Sequence, residues 1–268
     1  MAPGLNFAPA HRGGSGPPLV CLHGFTGSWH IWELVLPRLE RAHTVFAPTL
    51  IGHAGGPPLD VPVSHTVVVD AVERALDAEG LETADIVGNS LGGHVALQLA
   101  ARGRARSVVA LAPAGGWAVD DSSRADTFHF FAQMQDVLRE SGRHAAFIAS
   151  SPEGRRAALE AIAERHDHIP PEMVVRLIQA GAGCTGALPM LEYAAREQWT
   201  LDAERIACPV RMVWGTADKL LPWPTAAVRY RDEWLPQAEW IELDDVGHCP
   251  QVDVPLETAE LILGFTAR

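Results

Sequence analysis

Three residues of the 268 in this chain could together do chemistry: Ser90, Asp218 and His248. Ser90 sits in "ADIVGNSLGG", residues 84–93, where an apolar run meets Gly88, Asn89, the serine, Leu91 and then Gly92 and Gly93. Gly88 to Gly92 matches G-x-S-x-G, which sets a serine on a sharp, strained turn between a strand and a helix. A serine hydroxyl is a weak nucleophile until a base takes its proton, and that base needs an orienting acid. His248 follows the last strand-like run in "LDDVGHCPQVDVP", and Asp218 follows the run before it in "VWGTADKLLP". Asp244 and Asp245 compete for the acid's role but lie too close to His248 in sequence, so Asp218 is preferred. The order Ser90, Asp218, His248 is that expected for a serine, acid and base mounted on a parallel sheet.

The elements that must hold these residues are legible as short apolar runs separated by helical patterns. Runs at 19–22, 44–47, 84–87, 107–112, 210–214 and 239–243 lack polar alternation, as strands covered on both faces do. Between them, Ser28 is placed to cap a helix carrying Trp32, Leu36 and Leu39, and Ser64 opens a helix that Gly80 closes. Residues 91–102 form a third, with His94, Gln98 and Arg102 as a polar stripe, and Pro255 begins a last one ending near Phe265. The alternation predicts an α/β class with a mostly parallel central sheet flanked by helices. Residues 115–200 interrupt it with helical patterns only, including a capping-box-like Ser123 and Asp126, a start at Ser151-Pro152 and a break at Pro170-Pro171. The expected organisation is a core of residues 1–114 and 201–268 with an all-helical insertion at 115–200.

Composition narrows the functional classes. The formal charge of −12 excludes a basic face for nucleic acid. Lys219 is the only lysine, and 47% of the residues are hydrophobic, enough for a large core. No run of about 18 apolar residues is present, so no membrane span is expected, and the N-terminal segment lacks a signal-peptide layout. Cys21, Cys184, Cys208 and Cys249 are far apart and form no C-x-x-C pair, which suggests reduced thiols and a cytoplasmic location. His166 and His168 in "ERHDH" point to different sides of a helix, so no metal is called for, and no cofactor is expected.

The segments "HGF" at 23–25, "GNSLGG" at 88–93, "GTAD" at 215–218 and "GHCPQVDVP" at 247–255 together resemble the α/β-hydrolase fold superfamily over essentially the whole chain. The resemblance implies a helical cap, the 115–200 insertion, over the nucleophile. It also implies an oxyanion hole from the backbone N–H groups of Phe25 and Leu91, with His23 shaping the loop. Two departures stand out. The usual first strand is missing, leaving "LNFA" as the sheet edge, and Thr49 stands where many relatives carry an aspartate. Dehalogenases and epoxide hydrolases of this fold use an aspartate where Ser90 stands. The expected activity is therefore hydrolysis of a small, largely apolar ester through an acyl-enzyme.

Three alternatives share this fold. One is a C–C bond hydrolase of ring-cleavage products, suggested by Asn89; many such enzymes carry Trp where Cys249 stands, and a cap arginine, for which Arg176 and Arg196 are available. The others are a receptor with little turnover and a perhydrolase. The pocket is expected to be apolar, with Trp29, Trp117, Phe128, Phe131, Met134, Trp199 and Trp223 as candidates to line it.

Overall fold

The computed structural model describes residues 7–119 and 121–266. The apolar runs pair into one seven-stranded sheet: β1 (Ala10–Gly14), β2 (Pro18–Leu22), β3 (Thr44–Pro48), β4 (Ala84–Asn89), β5 (Ala105–Leu111), β6 (Val210–Gly215) and β7 (Glu239–Leu243). Their spatial order is β1-β3-β2-β4-β5-β6-β7, with β1 antiparallel to β3 and every other pairing parallel. β4 and β6 are buried at every position, which is why their sequences show no polar alternation.

The edge differs from the expected one. Residues 10–14 pair with β3 (Ala10 with Pro48, Gly14 with Thr44), whereas Phe7 and Ala8 of "LNFA" are not in a strand, and Leu5 and Asn6 lie outside the described residues. The antiparallel pairing leaves room for only a short return between β1 and β2. There Gly14 and Gly16 have φ of 76° and 128°, and a Cβ on either would fall within 2.4 Å of a backbone oxygen of His43 or Ala42.

Ten helices accompany the sheet among the described residues. α1 (Leu36–Leu39) follows a 3-10 turn at Trp29–Trp32. α2 (Val67–Ala78) and α3 (Leu91–Ala101) cover one face, and α10 (Pro255–Thr266), preceded by α9 (Pro250–Asp253), covers the other. Ser28 caps no helix through its side chain; its hydroxyl meets His30 Nδ1 at 3.0 Å instead. Trp32 and Trp214, both fully buried, lie on opposite faces of the sheet, each stabilising the fold by about 2–3 kcal/mol through removal from water. The polar stripe of His94, Gln98 and Arg102 is tied to neighbouring segments. Arg102 pairs with Asp70 and Glu73 of α2 at 2.7 and 2.6 Å, Gln98 reaches the His65 carbonyl, and His94 is buried.

Between β5 and β6 the chain leaves the sheet and forms α4 (Ser123–Gly142), α5 (Ala145–Ala149), α6 (Pro152–Leu159), α7 (Pro171–Ala182) and α8 (Ala187–Arg196). Ser151 caps α6 by accepting from the Gly154 amide at 3.0 Å, and Pro171 opens α7 as its N1 residue. α4 starts with Ser122 at the N-cap position and no side-chain cap bond. No single described helix is long and apolar enough to cross a membrane.

Candidate active site

Ser90 joins β4 to α3 with φ 56° and ψ −117°, a left-handed backbone that a side-chain-bearing residue holds at a cost of about 1–3 kcal/mol. Its neighbours enforce it. The Ser90 amide donates to the Leu111 carbonyl at 2.9 Å, and the Ser90 carbonyl accepts from the amides of His94 and Ala114 at 3.1 and 3.0 Å. The glycines permit the close approach: a Cβ on Gly88 would lie 2.1 Å from the Gly92 oxygen, and one on Gly92 2.3 Å from the Leu22 oxygen. Ser90 is 6% exposed, and its hydroxyl has no hydrogen-bond partner among the described residues.

Asp218 and His248 meet at the same end of the sheet. His248 Nδ1 donates to Asp218 Oδ2 at 2.8 Å, with side chains 4% and 0% exposed. Asp218 Oδ1 accepts the amides of Leu220 and Leu221 at 2.9 and 2.8 Å, so the carboxylate is held from both oxygens. A proton on Nδ1 leaves His248 Nε2 with a free lone pair, which has no partner among the described residues. Asp244 and Asp245 are exposed; the Asp245 amide donates to Thr216 Oγ1, and neither side chain contacts His248.

Two residues to which the sequence assigned no positioning role, Asn89 and Asp253, hold the His248 loop. Asn89 Nδ2 donates to the His248 carbonyl at 3.0 Å and to that of Leu111 at 3.2 Å, while its Oδ1 accepts from Gln251 Nε2 and the Cys249 thiol. Asp253, fully buried, accepts the Gly247 amide at 2.6 Å and the amides of Glu164 and Arg165 at 3.0 and 2.8 Å. The Cys249 amide also donates to the Ile162 carbonyl, so the histidine loop is fastened both to the nucleophile strand and to the helical insertion. A buried carboxylate among backbone donors is visible in sequence only as one Asp in "QVDVP".

The loop of residues 23–27 lies beside Ser90: a Cβ on Gly24 would come within 3.2 Å of the Ser90 Cβ. His23 Nε2 accepts the Leu50 amide at 2.9 Å, which puts the proton on Nδ1, where it is donated to the Gly24 carbonyl at 2.7 Å. Burial, and then the nearby His53, push the His23 pKa well below its ordinary value, so it stays neutral. Thr49 is buried in the adjoining loop, its Oγ1 3.5 Å from the Trp29 amide. The amides of Phe25 and Leu91 have no acceptor among the described residues.

A cavity with about 120 Å³ of free space opens over Ser90, between the sheet end and the inserted helices. Phe25, Leu91, Trp117, Phe128, Phe131 and Trp199 all line it. Trp29, Met134 and Trp223 do not. Trp29 stacks on His30 at 3.8 Å and donates its Nε1 to the Ala8 carbonyl, holding the segment before β1. Trp223 packs between Trp214 and Trp240 at 5.9 and 5.8 Å. Met134 lies on the part of α4 past the lining residues Phe128 and Phe131, and one turn further on Leu138 packs near Gly181 of α7. Unforeseen lining comes from Val63, Val67, Met190, Tyr193 and His94. Of these, Val67 on α2 and Met190 and Tyr193 on α8 belong to helices whose apolar faces show in the sequence.

A strained serine at a strand-to-helix turn of a largely parallel sheet, with a buried His–Asp pair at the same end of that sheet, is an arrangement compatible with a hydrolase of the α/β type. The profile of the alpha/beta hydrolase family matches residues 19–261, and the chain belongs to that family. Among its relatives, epoxide hydrolase EphH of Mycobacterium tuberculosis is 33% identical over 204 residues, covering 76% of this chain and 95% of that protein. Pimeloyl-[acyl-carrier protein] methyl ester esterase of Aromatoleum aromaticum is 30% identical over 259 residues, covering 92% and 96%. The 2-hydroxymuconate semialdehyde hydrolase of Pseudomonas sp. strain CF600 is 27% identical over 273 residues, covering 96% and 89%.

Proposed function

We propose that this hydrolase cleaves a small, largely apolar carboxylic ester through an acyl-enzyme, with Ser90 as nucleophile, His248 as general base and Asp218 as its orienting acid. The observation that carries the reading is the Asp218–His248 pair. The carboxylate is fixed by two amides and accepts Nδ1–H at 2.8 Å, leaving the Nε2 lone pair free to take the Ser90 proton. Ser90 Oγ attacks the ester carbonyl as its proton passes to Nε2, and the carbonyl oxygen becomes an oxyanion received by the N–H groups of Phe25 and Leu91. Collapse breaks the C–O bond, and the imidazolium protonates the departing alcohol. Water, deprotonated by Nε2, then attacks the acyl-enzyme; the acid leaves and the proton returns to Ser90. Ser90 Oγ and His248 Nε2 share no hydrogen bond in the free protein, and theirs is the contact that substrate binding brings to hydrogen-bond distance. The inserted helices, with their apolar lining, act as the cap that holds the substrate's apolar part.

Two chemistries of the relatives fit this site less well. Attack by a serine on an epoxide carbon would form an ether, which has no carbonyl for the same triad to hydrolyse, so turnover would stop. Cleavage of a carboxylated ring-cleavage product calls for a cation in the pocket. Among the described lining residues there is no Arg or Lys, Arg176 is paired with Glu33 at 2.5 Å, and Arg196 is not in the lining. The test is a panel of p-nitrophenyl acyl esters and a coloured dienol ring-cleavage product, with wild type and Ser90→Ala, plus fluorophosphonate labelling of Ser90. Ester hydrolysis lost in Ser90→Ala with the fold intact supports the assignment. Fast bleaching of the dienol with negligible ester turnover would replace it with C–C cleavage.

A further inference from the structure

One polar group in the cavity is left unexplained by that mechanism. His94 lies four residues, one helical turn, after Ser90 on α3, is 4% exposed, and lines the cavity. Its Nδ1 is 2.7 Å from the Tyr230 hydroxyl, and that hydroxyl donates its only proton to the Ala114 carbonyl, also at 2.7 Å. Nδ1 must therefore be the donor to Tyr230, which fixes the tautomer with a bare lone pair on Nε2. Burial, followed by the charge of Arg229, depresses the pKa of His94 to about 3, so the ring is neutral at any working pH. Nε2 has no partner among the described residues, yet it is not among the polar atoms sealed from solvent. The indole N–H groups of Trp117 and Trp199, two other lining residues, are sealed from solvent, and Trp199 stands edge-on to His94 at 4.8 Å. A purely hydrocarbon occupant would leave His94 Nε2 unmatched at its desolvation cost.

We propose that His94 determines specificity: its Nε2 accepts a hydrogen bond from a hydroxyl on the part of the substrate that fills the cavity, about 6 Å, one helical turn, from the carbonyl attacked by Ser90. Tyr230 acts through His94 as a positioning residue, holding the acceptor tautomer. A role confined to packing would use Nδ1 and leave Nε2 irrelevant; substrate selection depends on Nε2. The inference rests on the ester-hydrolase reading for its kinetic arm, and its binding arm stands without turnover.

The kinetic arm compares p-nitrophenyl 6-hydroxyhexanoate with p-nitrophenyl heptanoate, in which a methyl replaces the hydroxyl. Wild type is expected to favour the hydroxy ester about tenfold in kcat/KM, the size of one neutral hydrogen bond kept from water. The ratio should fall towards one in His94→Phe, be kept in part by His94→Gln, whose amide oxygen can accept, and drop in Tyr230→Phe, which frees the tautomer. No preference in wild type, or a preference that survives in His94→Phe, overturns the proposal. The binding arm titrates ¹⁵N-histidine-labelled protein with the product acids, 6-hydroxyhexanoate and heptanoate, the His94 signal being assigned by its loss in His94→Gln. An Nε2 shift with the hydroxy acid alone supports the site, even if no ester is turned over and the hydrolytic reading fails. Equal responses to the two acids, or none to either, refute it.

Discussion

Asp218→Asn separates the orienting acid from the fold. In the native site Oδ1 is the acceptor for two amides, at 2.9 and 2.8 Å, and Oδ2 for His248 Nδ1–H at 2.8 Å. Asparagine has one acceptor oxygen, and two fixed amides require it, so its NH₂ turns towards His248. The imidazole must then accept at Nδ1 and carry its proton on Nε2, the tautomer that cannot deprotonate Ser90. A base held in the wrong tautomer lowers kcat by about 10³–10⁴-fold. Stability changes far less, because charge-assisted bonds are exchanged for neutral ones, about 1–3 kcal/mol, or a few degrees in Tm for a chain of this size. Asp218→Ala would be less informative. It strands three buried donors at about 1–3 kcal/mol each, a total of the order of the whole folding free energy. The assay is single-turnover and steady-state hydrolysis of p-nitrophenyl butyrate, with circular dichroism and a thermal melt on the same samples. Asp245→Asn, on an exposed side chain, serves as the control and should retain wild-type rates. A folded Asp218→Asn within tenfold of wild type, or an Asp245→Asn that loses activity instead, would refute the assignment.

Other outcomes follow from the same geometry. Gly88→Ala, whose Cβ would lie 2.1 Å from a backbone oxygen, should give little folded protein, so a melt matching wild type would show the turn to be looser than described. Asn89→Ala removes the partner of the His248 carbonyl and of the Gln251 amide, so kcat should fall more than KM rises; unchanged kcat in a folded variant contradicts its positioning role. His23, His53 and His94 are buried with depressed pKa values, His53 at about 4 and His94 at about 3, chiefly by desolvation. Each binds its proton only in the unfolded chain as pH falls below about 6.5, so each removes about 1.4 kcal/mol per pH unit until the folded value is reached. Urea midpoints should therefore drop steeply from pH 7.5 to 5.5, and a flat profile counts against neutral burial. Burial raises the thiol pKa of Cys184 to about 12 and that of Cys249 well above the ordinary range, and Cys21 is sealed in the core. A thiol reagent should thus find Cys208 alone in native protein and all four cysteines in denaturant.

The sheet, the strained Ser90 turn and the His248–Asp218 pair were legible because each rests on a local rule. Buried parallel strands are continuous apolar runs, a strained turn needs glycine on both sides, and the partners sit just past strand ends. The edge was not, since "AHRGG" has little apolar character and is recruited by pairing with β3 rather than by burial. The cavity wall was harder still. An aromatic residue shows in sequence that it will be covered, but not by what. Trp29 and Trp223 stand near motif loops and pack against His30 and a tryptophan row, whereas Tyr193 and Met190 reach the cavity because α8 docks over it.

His94 shows why that gap matters for function. One polar residue on an apolar helix reads only as part of a polar stripe, and the partner that gives it a place, Tyr230, is 136 residues away. Only once α3 and the segment holding Tyr230 are packed together does the ring become neutral, fixed in tautomer and turned to the cavity. On the proposed reading the reaction is encoded in local motifs, whereas selectivity arises from contacts between distant segments. Variation at residues 94 and 230 should therefore retune the substrate while leaving the triad's geometry in place.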